Sequence, residues 1–196
     1  MDKLPNRRPD HPVPDLFLGR WSPRAFLPDA IPPQTLASIL EAVRFTPSSV
    51  NEQPWTFLLA QTAEHRALFN SLLLPKNQTW AGQAPVLLFV LARRHFTRNG
   101  KPNPTALFDA GAAWMTLALA ARAFDLHTHA IAGVDFERAY PALGVDPATF
   151  ELVCAVALGR QAPADSLPED LRAREQPGPR KPQTAFVHHG PLVTAP

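Results

Sequence analysis

The chain has 196 residues, 45% of them hydrophobic, a net charge of +2 and a single cysteine. That length supports one domain with a sizeable core, and the small net charge argues against a nucleic-acid partner. Lone Cys154 excludes an internal disulfide framework and a cysteine zinc cluster, and its neighbours Leu152, Val153, Ala155 and Val156 mark it as a buried structural thiol. The longest largely apolar run, residues 110–121, lies between Asp109 and Arg122 and falls short of the roughly 18 residues a bilayer span needs. The charged, proline-rich start lacks the apolar stretch of a secretion signal. These features predict a cytoplasmic protein with no membrane partner.

Of twenty-three prolines, nineteen crowd residues 5–54 and 141–196, and none falls in 106–140. The free stretch reads as core and the proline-rich stretches as extended segments wrapped around it. With no repeat and no linker, one domain over residues 1–196 is expected, with flexible arms at 1–15 and 188–196. Lys3, Arg7 and Arg8 make the first arm basic, which suits either a binding arm or a frayed, solvated end.

After Pro32-Pro33, Leu36, Ile39, Leu40 and Val43 recur at helical spacing and predict an amphipathic helix of about three turns. Residues 55–59 follow Pro54 and read as a strand. Residues 63–74 look helical, with Ala67, Leu68 and Leu72 on one side. The unbroken apolar run 86–91 after Pro85 reads as a strand buried on both faces. Residues 107–124 form a helix that is apolar nearly all round and must be enclosed on every side, by its own domain or by a partner subunit. Residues 127–131 and 152–158 supply two further strands. Helices and strands around one buried helix predict an α+β fold. The nine glycines stand too far apart for a Rossmann or Walker loop, so a bound phosphate must be held largely by side chains.

Two segments carry candidate chemistry. In Arg20-Trp21-Ser22-Pro23-Arg24-Ala25-Phe26, an extended chain would project Arg20, Ser22 and Arg24 to one side. Two guanidinium forks and a hydroxyl suit a phosphate dianion, and the same run suits a solvated basic strand edge. Pro47-Ser48-Ser49-Val50-Asn51-Glu52-Gln53-Pro54-Trp55 then packs short polar side chains between prolines. It reads either as rigid donors and acceptors for a heteroaromatic ring or as a helix-terminating turn. His127-x-His129 could present two imidazoles on one strand face, but no third ligand stands nearby, so no metal site is expected. Trp55, Trp80 and Trp114 read as core or interface anchors, and His188-His189 as a solvated tail.

Together these motifs change the reading. R-x-S-x-R-x-F, a helix, then P-S-S-x-N-x-Q-P-W resembles the opening of the nitroreductase family. The likeness continues through Asn77 and Trp80 in a polar loop before Ala84-Pro85-Val86, through Asp109-Ala110-Gly111-Ala112-Ala113 at the start of a long helix, and through Leu158-Gly159 to Pro179-Arg180-Lys181-Pro182. It spans residues 16–187.

The resemblance implies a nitroreductase-like fold: a mostly antiparallel sheet of four to five strands flanked by helices, in an intertwined homodimer with FMN at the subunit interface. By analogy Arg20, Ser22 and Arg24, with Trp21 among them, hold the ribityl phosphate end, and Arg180 closes on it. Ser48, Ser49 and Asn51, with Pro47 and Gln53 of the same motif, line the flavin from the neighbouring subunit. Asn77 stands near the pyrimidine edge, and Ala132 and Gly133 turn backbone amides toward flavin N5 and O4.

Some members carry Glu at Ala132 and a lysine after Asn77, and both are missing here. A second tail cation is replaced by Gly178, with Arg160 or Lys181 as substitutes. Residues 93–105 leave room for only a small lid. The implied activity is ping-pong hydride transfer from NAD(P)H through the flavin to an electron-poor small molecule such as a nitroaromatic or quinone. The alternatives are reductive dehalogenation, flavin breakdown, or flavin binding without turnover.

Overall fold

The computed structural model describes residues 6–192; Lys3 and residues 193–196 lie outside them. In chain order the elements are α1 (Asp15–Gly19), α2 (Pro33–Arg44), β1 (Trp55–Ala60), α3 (Ala63–Ser71), α4 (Pro75–Ala81), β2 (Val86–Arg93), α5 (Ala106–Ala123), β3 (His127–Ile131), α6 (Phe136–Ala142), β4 (Phe150–Gly159) and α7 (Glu169–Arg172).

The four strands form one antiparallel sheet in the order β1-β2-β4-β3. Alternation along β2 serves two cores at once. Leu87, Phe89 and Leu91 join Phe69, Leu72 and Trp80 on one side, while Val86, Leu88 and Val90 join Ile39, Val43 and Leu117 on the other. Helices α2 and α5 thus cover one face of the sheet, and α3 and α4 cover the opposite one. This is the expected α+β arrangement, and β2 is buried on both faces, as its unbroken apolar run requires. Helix α2 starts on Pro33, whose missing N–H is no loss in the first turn, and buries Leu36, Ile39 and Val43.

Several local expectations need correction. The helix predicted over 63–74 stops at Ser71, and its apolar face is different: Phe69 is buried, whereas Ala67 and Leu68 are not. Leu72 and Leu73 are buried beyond the helix end, where Leu73 bridges Val134. Asn77 and Trp80 lie on α4 rather than in a polar loop, because Pro75 opens a second helix and Trp80 anchors it in the core. Helices α1 and α6 escaped the pattern reading, being short; α6 even contains Pro141, and is capped by Asp135 accepting from the Arg138 N–H at 3.2 Å.

Helix α5 is not enclosed on every side within one chain. Ala110, Ala113, Leu117 and Ala121 are fully buried, but Phe108 is 80% exposed. Cys154 is a half-buried thiol on β4, and burial pushes its pKa up to about 11, well away from thiolate reactivity.

Candidate active site

Residues 20–26 run extended along the end of the sheet. A bridge between Phe26 and Gln161 fixes one end. The Glu175 carboxylate accepts from the Arg24 N–H at 2.9 and 3.0 Å and from the Ala25 N–H at 2.9 Å, which pins the middle. Trp21 is buried with its ring edge-on to His127, 6.2 Å between centroids. It anchors the segment, and this packing is its visible role.

The alternating polar residues separate into two groups. Arg20 Nη1 donates to Ser22 Oγ at 3.4 Å. Burial and then the Arg180 guanidinium hold Arg20 below its ordinary pKa. Arg24 is lowered by burial and then by Arg174, with Glu175 opposing the shift. Ser22 thus meets Arg20, whereas the charged neighbours of Arg24 are Arg174 and Glu175.

Arg20, Arg180 and Lys181 line a cavity of about 900 Å³ with Arg7, Trp114 and Met115. Arg180 also donates to the carbonyls of Gly178 and Pro179, at 3.2 and 3.0 Å. Of the candidate tail cations, Arg160 is the one occupied elsewhere, 3.8 Å from Asp125, which Arg122 approaches at 3.4 Å. Among the described residues no carboxylate lies within ion-pair distance of Arg20 or Arg180; the ion pairs there use Arg44, Arg94, Arg122, Arg138 and Arg160.

Strand β3 leads away from this corner and carries both histidines on the side facing residues 20–26. His129 Nδ1 is 2.8 Å from the Pro23 carbonyl, which only accepts, so that nitrogen bears the proton; the ring lies 4.6 Å from Trp80. His127 Nδ1 accepts from Arg122 Nη1 at 3.3 Å. Burial, with Arg122 and then Arg20 adding to it against Asp125, pushes His127 down to about 4. Burial also pushes His129 to about 4, with Arg24 and Arg20 adding to it and the Pro23 bond opposing. Both rings are neutral at neutral pH, as their cationic surroundings require.

Five residues further along, about 16 Å at strand rise, Ala132 and Gly133 follow the end of β3. Asn77 Nδ2 donates to the Gly133 carbonyl at 3.2 Å, so helix α4 brings these two predicted residues together. A Cβ at Gly133 would sit 2.2 Å from Asn77 Nδ2, so only glycine permits this approach. Ala132 is exposed and carries only a methyl group.

The loop after α2 is strained. Val50, Asn51 and Gln53 have φ of 49°, 58° and 51°, a region that β-branched Val50 strongly disfavours. The Gln53 N–H donates to Ser48 Oγ at 2.9 Å, and the Ser49 N–H donates to Asp109 Oδ2 at 3.2 Å. Pro47, Asn51 and Gln53 point outward, next to exposed Phe45 and Val50. Among the described residues no hydrogen bond joins this loop to the Arg20 corner or to Asn77 and Gly133.

Sequence reasoning missed Glu175 and the role of Asp109. Glu175 acts across 151 residues of separation, which no local motif reveals. Asp109 was visible as the start of the long helix but not as a partner of the polar loop; 3% exposed, it is the carboxylate that fixes Ser49. The segment 93–105, where a small lid was expected, is a tight hairpin closed by a His95–Pro102 bridge, with Gly100 at φ 67°.

Comparison with known proteins accords with this geometry. A solved structure described as an oxidoreductase containing FMN is 39% identical, superposes with a TM-score of 0.92, and is covered in full by this chain, as this chain is by it. A CLA biosynthesis enone reductase from Lactiplantibacillus plantarum is 25% identical over 184 residues, covering 76% of this chain and 85% of its own. A Bacillus subtilis (strain 168) protein assigned as the NAD(P)H nitroreductase YdgI is 26% identical, over 76% of this chain and 88% of its own. The nitroreductase family model matches residues 18–75 and 71–160, which hold the Arg20 corner, the strained loop, α5 and β3. The chain belongs to the nitroreductase family.

Proposed function

We propose that this protein is an FMN-dependent oxidoreductase that takes hydride from NAD(P)H and delivers it to a flat, electron-poor acceptor. The observation that carries the reading is the Arg20–Arg180 pair, two guanidinium groups sharing a cavity with no carboxylate within ion-pair distance among the described residues. Such a pair, beside the Ser22 hydroxyl, suits the phosphate of a flavin mononucleotide. The Asn77–Gly133 contact at the far end of β3 suits its polar ring edge. An elongated ligand with an anionic tail and a flat head matches that separation.

When bound, flavin supplies the redox chemistry, accepting and releasing hydride at N5. The chain's own residues bind and orient. Arg20, Ser22 and Arg180 hold the phosphate, with Lys181 on the same wall. Asn77 and the Ala132–Gly133 backbone fix the ring edge, and Glu175 sets the course of the backbone at Arg24. No side chain is required as nucleophile or general base. The absence of Glu at Ala132 leaves the acceptor side open, which suits acceptors of varied shape: nitroaromatics, quinones and, as the relative from L. plantarum suggests, conjugated enones.

Two copies complete the site. Exposed Asn51, with half-buried Ser48 and Ser49 of the same loop, then lines the flavin of the neighbouring copy, and exposed Phe108 and Leu107 on α5 are covered. The purified protein is expected to be yellow and to bleach under anaerobic addition of NADH or NADPH, then recover colour on addition of a quinone. A colourless preparation that takes up no added FMN refutes the reading; a yellow one that neither nucleotide bleaches is a passive binder.

A further inference from the structure

Resting on the flavin reading, we propose that Arg7 of the N-terminal arm is a third guanidinium of the anion site, so that the arm clasps a phosphate ester held by Arg20 and Arg180. Arg7 Nη1 donates to the carbonyls of Phe17 at 3.4 Å, Leu18 at 2.9 Å and Arg20 at 2.6 Å. These are the carbonyls at the close of α1, which have no partner within the helix and carry the negative end of its dipole. One edge of the guanidinium is thereby fixed to the backbone that also carries Arg20. Its Nε is hidden from water with no hydrogen-bond partner among the described residues. Asn6 extends the tie by donating to Gln176 at 3.1 Å, which joins the arm to the tail that bears Arg180.

Arg7, Arg20 and Arg180 line the same cavity, with Arg8 and Lys181 beside them. Asp10 and His11 lie on its wall as well, but Asp10 makes no ion pair with any of the three among the described residues. Burial, then Arg180, then Arg20 depress Arg7 to about 10, as expected of like charges gathered out of water. Carbonyls at a helix end offset some of that repulsion; a dianion with three oxygens offsets far more. A carboxylate has only two oxygens and one charge. The ligand class is therefore a phosphate monoester, either the flavin's own or the 2′-phosphate of NADPH.

The test replaces Arg7 by Gln, which keeps an amide donor for the α1 carbonyls but removes the charge, and by Lys, which keeps the charge. Affinities for FMN and for riboflavin, which lacks the phosphate, are read by flavin fluorescence, and KM is measured for NADPH and NADH. Arg7→Gln is expected to weaken FMN about tenfold, leave riboflavin unchanged, and be largely rescued by Arg7→Lys. Unchanged FMN affinity with a raised KM for NADPH but not NADH assigns the clasp to the nucleotide's phosphate instead. FMN and riboflavin weakening alike, or neither changing with both KM values intact, overturns the proposal. Wild-type protein that binds no FMN removes the flavin reading and this inference with it, whereas failure in the Arg7 variants alone leaves the flavin reading standing.

Discussion

A guanidinium held half out of water without a carboxylate beside it costs folding free energy, and a chain that keeps such groups together gains from an anion that joins them. Arg20 is in that position and Arg24 is not, because Glu175 and its bonds to the Arg24 and Ala25 backbone bring a carboxylate to the latter. The two arginines, equivalent in the R-x-S-x-R pattern, should therefore behave differently. Arg20→Ala is expected to weaken FMN by at least tenfold, and Arg24→Ala by less, in titrations of flavin-stripped protein; equal losses would place both on the phosphate. The motif was legible because its residue types state their chemistry. The division of labour was not, since it depends on Glu175, Arg174 and Arg180, which arrive from the far end of the chain.

Helix α5 shows what periodicity reveals and what it leaves out. Its alanine-rich, nearly all-apolar composition signalled enclosure, and the row Ala110, Ala113, Leu117 and Ala121 is fully buried against the sheet and α2. Composition could not reveal which side of the helix stays open in a single chain, as there is almost no polar face to orient it. The structure leaves Phe108 80% exposed and Leu107 48% exposed, with Phe45 72% and Val50 58% exposed at the end of α2 and in the strained loop. On the proposed two-copy reading, this apolar surface is what the second copy would cover. Phe108→Asp is expected to shift the protein from dimer toward monomer in light scattering at micromolar concentration, with flavin lost in parallel. A dimer that persists with full flavin content would exclude this face. Helices α1, α4 and α6, by contrast, are too short to show a period, and the polar residues of α4 read as a loop.

For the molecule as a whole, acid should act through β3. His127 and His129 sit at about 4 in the fold against 6.5 when free. Between those values the unfolded chain binds protons that the folded chain refuses, so stability is complete above about pH 6.5 and falls as pH drops toward 4. Urea unfolding at pH 7 and pH 5 should give the lower midpoint at pH 5. A phosphate bound at Arg20 would screen one of the cations that holds both rings neutral, so bound FMN should make that loss shallower. A midpoint that does not move between the two pH values would mean that the rings are solvated and not packed as they are here.

The strand order has a consequence for how the chain comes into being. Strand β4, last of the four to be synthesised, lies between β2 and β3, so β3 has no neighbour to pair with until residues 150–159 have left the ribosome. The antiparallel pair β1–β2, joined through α3 and α4, can form early, but the free edge of β2 then waits through more than fifty residues of translation. Newborn chains of this protein therefore pass through a stage with a bare, sticky margin, and chaperones that recognise extended apolar segments would meet it there.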